Sequence, residues 1–298
     1  MTFQTTLRRL TAEKLIHPPH FLIDNLAYAT IMGSVAYGVS SDTSDMDVYG
    51  FCMPTKELLF PHLGGEIPGF GQQLKRFKQF QQHHVKDPSS QKEYDITIYS
   101  IVKYFHLCME NNPNMIDSLF TPRRCVLHST PVAELLFEKR RMFLHKGAMH
   151  KLRGYAYAQL SKIENKNNSS NPKRQADIEK HGYDTKFGYH LVRLVLEAEQ
   201  ILNEHDLDLE RNREILKSIR RGEWELERLK EYFYQKEKAL EDAYAKSTLR
   251  EYPDEVVIKS LLVQCLEHHY GSLDKLVPSP KESSGLIKEL EALVAKYR

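Results

Sequence analysis

The chain has 298 residues, of which 41% are hydrophobic and 28% are charged, and its formal net charge is +2. This composition is that of an ordinary globular protein, so it excludes an intrinsically disordered chain and a fibrous or membrane protein. The lysines and arginines form no basic tail, and any nucleic-acid binding must therefore come from a local patch.

The four cysteines lie far apart in the sequence and form no Cys-x-x-Cys pair. Their spacing argues against a zinc ribbon or a redox motif. Residues 1–16 mix polar, charged and apolar side chains without a long apolar run, which predicts neither a signal peptide nor a membrane anchor. We therefore expect a cytoplasmic protein with free thiols and no membrane partner.

The first third of the chain predicts one helix and several strands. Residues 3–16 form an amphipathic pattern that two prolines end. Buried or alternating apolar residues predict strands at 26–32, 46–53 and 94–99. Between the last two strands, the basic and glutamine-rich stretch 74–84 indicates a helix-like piece.

From Ser100 onward the apolar period changes from two to about 3.6, which predicts helices almost to the end of the chain. Residues 161–183 have no apolar period and predict a polar loop or a flexible insertion. The fold class is therefore α+β, a mixed sheet with helices followed by a mostly helical second half.

One stretch carries most of the chemical information, residues 33–38 followed by residues 44–48. Gly33 follows a predicted strand and allows backbone amides to approach a phosphate, and Ser34 offers a hydroxyl at the start of a short helix. Asp45 and Asp47 are two residues apart on a strand, so both carboxylates point the same way, as oxygen ligands of Mg²⁺ must. The pattern predicts a phosphate site beside a metal site.

Other phosphate motifs do not fit this stretch. Gly38 is followed by Val39 and Ser40, which excludes a P-loop, and the spacing lacks the three glycines of a dinucleotide fingerprint. No Gly-x-Ser-x-Gly elbow surrounds Ser34. The remaining alternative is structural: a turn glycine followed by two solvated acids.

The order of strand, Gly-Ser, short helix and Asp-x-Asp resembles the DNA polymerase β-like nucleotidyltransferase superfamily. A longer set of motifs is similar to the RNA-ligase-associated nucleotidyltransferase family, RlaP. These motifs are residues 33–38, 44–50, 112–115, 119–120, 181–186 and 189–194.

The resemblance implies a third catalytic carboxylate on a later strand. Asp95 matches this position, and strand alternation places it on one face with Glu93. Glu93 is a second candidate, and Asp117 is a weaker one because its helical stretch predicts a solvated polar face. For Asp95 the structural alternative is an edge-strand acid that faces water.

A second set of site residues lies on a predicted helix that Asp184 can cap. Lys186, His190, Arg193 and Glu197 fall within an arc of about 60°, and the rest of the helix is apolar, which predicts burial. The resemblance implies that Lys186 and Arg193 reach a triphosphate, with His190 beside them. The alternative is that Glu197 pairs with Arg193 on a solvent-facing stripe.

The sequence also contains two pairs of adjacent histidines and a basic residue before a glycine. His83 and His84 are adjacent, as are His268 and His269, so the side chains of each pair are predicted to point apart, which argues against metal chelation by either pair. Arg220 is one of several weaker candidates for a phosphate-binding cation, but with Arg221 and Gly222 it looks first of all like a helix C-terminus.

The resemblance implies two domains, a nucleotidyltransferase catalytic domain at residues 1–140 and a helical domain at residues 141–298 that closes the nucleotide site. Asp45, Asp47 and Asp95 would be catalytic and would bind Mg²⁺, with Mn²⁺ as an alternative. The nucleotide-binding residues would be Gly33, Ser34, Lys186, His190 and Arg193.

The implied activity transfers a nucleoside monophosphate from a nucleoside triphosphate such as ATP to an acceptor hydroxyl, with release of pyrophosphate. RNA is the favoured acceptor. Two alternatives stay open at this point: a non-catalytic nucleotide or RNA sensor on the same fold, and an enzyme that modifies a protein or a small molecule. The sequence does not predict the oligomeric state.

Overall fold

The computed structural model describes residues 2–40, 45–73, 75–165, 169 and 171–271, except for the side chain of Lys173. Ser44, Leu74 and residues 166–168 of the predicted segments lie outside the described residues. Within the described part, no helix is both long and apolar enough to cross a membrane.

A five-stranded mixed sheet forms the first half of the protein. Its strands are β1 (Leu26–Ile31), β2 (Met46–Cys52), β3 (Gln79–Asp87), β4 (Lys92–Ser100) and β5 (Val126–Ser129). The spatial order is β3-β4-β2-β1-β5, and β2 and β4 are parallel whereas the other neighbours are antiparallel. The predicted strands at β1, β2 and β4 are confirmed.

Helices make up most of the remaining chain. They are α1 (Phe3–Ala12), α2 (Lys56–Leu59), α3 (Ile101–Met109), α4 (Pro113–Leu119), α5 (Pro131–Glu138), α6 (Gly147–Asn165), α7 (Pro172–His181), α8 (Thr185–Glu204), α9 (Arg213–Arg220), α10 (Leu226–Lys246) and α11 (Glu255–Tyr270). The α+β class is therefore confirmed.

Apolar side chains cover both faces of the sheet. On one face Leu7 and Leu10 of α1 pack with Val48 and Ile96 in a small core. On the other face, a continuous core runs from the sheet into helices α3–α6 and α8–α11. Helix α8 is buried along most of its length and packs against α6, α9 and α10, so several of its polar residues, Arg193 and Glu197 among them, lie inside the protein.

Two predicted elements are wrong. Residues 79–87 form the edge strand β3 instead of a helix-like piece. Glutamine and histidine suit that strand because much of it is exposed. In the predicted polar loop, α6 continues to Asn165 and α7 begins at Pro172, a favoured first helical residue; α7 lies at the surface and therefore shows no apolar period.

Candidate active site

The strand register brings the predicted carboxylates together. The parallel pairing of β2 with β4 places Asp47 directly opposite Asp95, and neighbouring strands lie about 4.8 Å apart. Side chains alternate along a strand, so Asp45 and Glu93 share the face of Asp47 and Asp95. The negative charges of Asp45 and Asp95 both act on Asp47. Four acidic side chains thus gather at one end of the two central strands.

The Gly-Ser turn lies directly against this acidic group. Gly33 has a φ of +64°, and a Cβ atom there would lie 2.2 Å from Asp47 Oδ2. The Met32 N–H donates to the carbonyl oxygen of Asp47 at 2.7 Å. Gly33 and Ser34 begin a short 3-10 turn, and the first N–H groups of such a turn have no partner within it. Only glycine fits both this space and this backbone conformation.

The electrostatics of Asp47 indicate that this group needs a cation. Burial raises the pKa of its carboxyl group, and the charges of Asp95 and Asp45 raise it further, while Lys186 and His83 oppose the change. Several carboxylates at one place resist simultaneous ionisation unless positive charge is added. Carboxylate oxygens are the donors that Mg²⁺ prefers, so the residues present fit that ion chemically.

The side chains themselves do not yet form a closed ligand set. Across the described residues, no three His, Cys, Asp or Glu side chains stand together as ligands of one ion. Asp95 Oδ1 instead accepts a hydrogen bond from the His84 backbone N–H at 2.7 Å. The strand register brings the backbone positions of Asp47 and Asp95 together. The Asp95 carboxylate, however, turns toward a backbone N–H of β3.

Helix α8 brings Lys186 to the acidic group. Asp184 caps the helix as predicted, because its carboxylate accepts the Lys186 N–H at 2.8 Å. The Lys186 side chain is exposed and its charge acts on Asp47. Within the described residues, no carboxylate forms an ion pair with Lys186, which leaves this cation available beside the site.

His190 lies one turn further along α8, and its imidazole is neutral. Burial lowers its pKa well below the ordinary value, and the charges of Arg193, Lys186, Arg220 and Lys162 lower it further. Its ring lies 4.1 Å from the ring of Tyr189. A neutral imidazole can donate or accept a hydrogen bond but adds no charge to the site.

Arg193 occupies a different place from the one expected. It is only 6% exposed, and its Nη1 atom lies 2.5 Å from Asp117 Oδ2, 2.9 Å from Glu197 Oε1 and 2.5 Å from the Tyr37 hydroxyl. These four residues form a buried group that we call the Arg193 network. The alternative pairing with Glu197 is present, but it lies inside the protein and not on a solvent-facing stripe.

Asp117 also differs from its prediction. It is 1% exposed instead of solvated, since α4 packs toward α8 and the Asp117 side chain reaches Arg193. Tyr37 links the same network to the Gly-Ser turn, because Tyr37 Oη donates to Asp117 at 2.6 Å and its backbone N–H bonds to the carbonyl oxygen of Gly33. Neither a catalytic third carboxylate nor a free arginine is found here.

Arg220 approaches the site more closely than the sequence indicated. It ends α9 as predicted, with Gly222 at a φ of +73°. Its guanidinium lies 5.1 Å from the Tyr189 ring, and its charge acts on His190. No carboxylate pairs with Arg220 in the part of the chain that the structure describes. The sequence made Arg220 only a weaker candidate, because α8 and α9 meet only in three dimensions.

Lys162 of α6 completes a set of unpaired cations. Its Nζ atom lies 5.4 Å from the Phe187 ring, and its charge also reaches His190. Lys162, Lys186 and Arg220 come from three helices, and none has an ion-pair partner among the described residues; we call them the cation group. Positive charge on the helices thus faces negative charge on the sheet, an arrangement suited to a metal-bound polyphosphate.

A β-bulge places two further side chains at the site. Gln82 pairs with Ile96 and Val85 with Tyr94, so His83 and His84 together oppose the single residue Asp95. The expectation that this pair does not chelate a metal stays a prediction, and the structure shows that both imidazoles reach acidic residues of β4. His83 Nδ1 lies 3.5 Å from Asp95 Oδ1, and His84 Nδ1 lies 2.7 Å from Glu93 Oε1.

A match to a known protein family shows to which family the chain belongs. The family described as "RNA repair pathway DNA polymerase beta family", RlaP, matches residues 2–255. The chain belongs to this family. The resemblance found in the motifs is thereby confirmed, and this RlaP-family chain is a polymerase β-like nucleotidyltransferase.

This RlaP-family chain is also similar to a solved structure. A crystal structure of a nucleotidyltransferase-like protein from Exiguobacterium sibiricum is similar over 99% of this chain and 90% of that chain, with 8% sequence identity and a TM-score of 0.29. No protein of curated function matches the sequence.

Proposed function

We propose that this RlaP-family enzyme transfers a nucleoside monophosphate from a nucleoside triphosphate to an acceptor hydroxyl and releases pyrophosphate. The observation that carries the proposal is Asp47 opposite Asp95 in register, with Gly33 packed against the Asp47 carboxylate. RNA is the favoured acceptor, because the family description names RNA repair.

Asp45, Asp47 and Asp95 are the residues that would hold Mg²⁺, with Mn²⁺ as an alternative ion. Bound there, the metal would polarise the α-phosphate and lower the pKa of the acceptor hydroxyl. The acceptor oxygen attacks the α-phosphorus in line, and the bond to the β-phosphate oxygen breaks. Asp95 would also accept the proton of the acceptor hydroxyl.

The phosphates of the nucleotide have two sets of partners in this proposal. The N–H groups at Gly33 and Ser34 hold the β- and γ-phosphates from the sheet side. Lys186 offsets charge on the leaving pyrophosphate, with Arg220 and Lys162 beside it, and neutral His190 offers a hydrogen bond.

Arg193 has an indirect role in the proposed site. Its guanidinium is engaged by Asp117 and Glu197, so it acts through Tyr37. Tyr37 follows Ser34 by three residues and bonds back to Gly33. The Arg193 network therefore holds the Gly-Ser turn in position from inside the protein and does not contact the phosphates.

Asp47→Asn tests the proposed reaction. The purified variant is incubated with each α-³²P-labelled nucleoside triphosphate, Mg²⁺ and an RNA pool, and labelled RNA and released pyrophosphate are measured. We expect activity to fall about a hundredfold or more, because metal binding supplies several kcal/mol of transition-state stabilisation. Unchanged far-UV circular dichroism would show that the fold is retained.

Asp24→Asn is the matched control, since Asp24 is an exposed carboxylate that pairs with Arg8 at the surface. It should keep wild-type turnover. If the label entered protein instead of RNA, the acceptor in the proposal would become a protein hydroxyl. Wild-type turnover by Asp47→Asn, or no pyrophosphate release from any of the nucleotides by the wild-type enzyme, would refute it.

A further inference from the structure

We propose that the β-bulge at His83 and His84 is a positioning device that selects and holds Asp95 as the third metal ligand. The proposal rests on the proposed function, because it concerns the metal site of that reaction. The bulge lies in β3, directly opposite Asp95 of β4. Bulges are known to redirect groups beside active sites.

A backbone hydrogen bond holds one oxygen of Asp95. In a regular antiparallel ladder, a backbone N–H either pairs with the neighbouring strand or faces outward. The extra residue of the bulge breaks this pattern, and His84, at a φ of +55°, directs its N–H to Asp95 Oδ1 at 2.7 Å. No hydrogen bond to Asp95 Oδ2 is found within the described residues. One oxygen is thus fixed by the backbone, and the other is left for a cation.

Glu93 is the competing carboxylate on the same face. His84 Nδ1 lies 2.7 Å from Glu93 Oε1, so the imidazole engages this side chain. His83 Nδ1 lies 3.5 Å from Asp95 Oδ1, and the Gln81 side-chain amide lies 2.5 Å from the His83 Nε2 atom. Glu93 is thus engaged by an exposed imidazole, whereas Asp95 is held by a backbone N–H, and this difference separates two acids that sequence alternation leaves equivalent.

The expected size of the effect follows from other metal sites. Groups that orient a ligand without touching the metal typically account for about 10–100-fold in affinity or activity. A carboxylate that is already held loses less freedom when the ion binds. The bulge should therefore tighten metal binding in the absence of any nucleotide.

Deletion of His84 is the direct test. The deletion makes one residue oppose Asp95 and restores a regular ladder, so the Asp95 bond to the extra N–H is lost. Mn²⁺ binding is measured by electron paramagnetic resonance on the full chain without nucleotide. We expect about 10–100-fold weaker binding than in the wild type. Wild-type affinity in a folded deletion variant would overturn the proposal.

His84→Gly is the matched variant, because glycine keeps the N–H and readily adopts positive φ but lacks the imidazole. If the backbone bond holds Asp95, this variant should bind Mn²⁺ much more tightly than the deletion. A loss as large as that of the deletion would overturn the backbone role and would make the imidazole itself responsible.

Two measurements keep the test decisive. Asp95→Asn should lose Mn²⁺ affinity, and wild-type affinity in this variant would refute the proposed metal site itself. If Asp95→Asn loses affinity but the deletion does not, only the proposed role of the bulge is refuted. If the deletion variant does not fold, hydrogen exchange of the His84 amide is compared between the wild type and Asp95→Ala. Faster exchange in the variant supports the bond, and equal exchange refutes it.

Discussion

At Gly33 the proposed phosphate-binding turn and the acidic strand touch each other. The position requires glycine for two separate reasons, a positive φ and the absence of room for a Cβ atom beside Asp47. The positive φ affects the stability of the fold, and the lack of room for a Cβ atom affects the position of the Asp47 carboxylate. A second glycine of the chain allows the two effects to be separated.

Gly33→Ala should lower the activity strongly and the stability only slightly. Its Cβ atom would displace the Asp47 carboxylate, and we expect kcat to fall at least about tenfold, since small misplacements of reacting groups can cost up to about a hundredfold. Positive φ without glycine costs about 1 kcal/mol. Steady-state kinetics and urea unfolding measure the two effects.

Gly65→Ala is the control for this prediction. Gly65 also has a positive φ, +84°, but a Cβ atom there meets nothing within 4 Å. The control should therefore lose similar stability and keep its kcat. Equal kcat in the two variants would show that contact with Asp47 is unimportant.

At the scale of single elements, helix α8 combines an exposed cation at its start with a buried ionic group at its middle. Two carboxylates, Asp117 and Glu197, share the one guanidinium of Arg193. Burial raises the pKa of Glu197 to about 8, and the charge of Asp117 adds to this although Arg193 opposes it. Glu197 therefore keeps a proton in the folded protein at neutral pH.

The raised pKa of Glu197 makes the free energy of unfolding depend on pH. The pKa is raised on folding, so the stability that the protonated group contributes is fully present below its ordinary pKa of 4.5 and is lost as pH rises through about 8. We expect the free energy of unfolding in urea to fall by about 2–3 kcal/mol between pH 6 and pH 9 from this group. Glu197→Gln cannot titrate and should show a correspondingly smaller decrease. The same decrease in both proteins would contradict the protonated state.

Much of the site could be predicted from local patterns, because its central parts follow each other closely along the chain. Strand alternation and the Gly-Ser turn were sufficient for Asp45 and Asp47, and the cap at Asp184 defined the start of α8. The position of Asp95 opposite Asp47 needed the parallel strand pairing, which the spacing alone does not determine. The roles of these residues stay predictions.

The remaining features depend on contacts between distant segments. Asp117 and Arg193 are 76 residues apart in sequence, so helical periodicity could not show that they neutralise each other. The bulge depends on a register shift between two strands, and a one-residue shift leaves no mark in composition. The sequence does not predict the edge strand β3, because most of its residues are polar and many of them are exposed.

At the scale of the whole molecule, one core joins the sheet to the helices. Buried residues from Ala27 to Leu266 belong to the same cluster, which crosses residue 140. The division into domains at 1–140 and 141–298 stays a prediction, and unfolding tests it. A shared core predicts one cooperative transition, whereas independent domains predict two.

Helix α11 offers a matched pair of substitutions for this test. Leu261 is buried in the common core, and Val256 on the same helix is 79% exposed. Leu261→Ala should lose about 2–5 kcal/mol because it leaves a cavity, whereas Val256→Ala should change stability little. Calorimetry should show the whole transition of Leu261→Ala at a lower temperature, since α11 packs against α3 and α5 near the sheet. A second transition that stays at the wild-type temperature would instead show that the catalytic region unfolds independently of the helices.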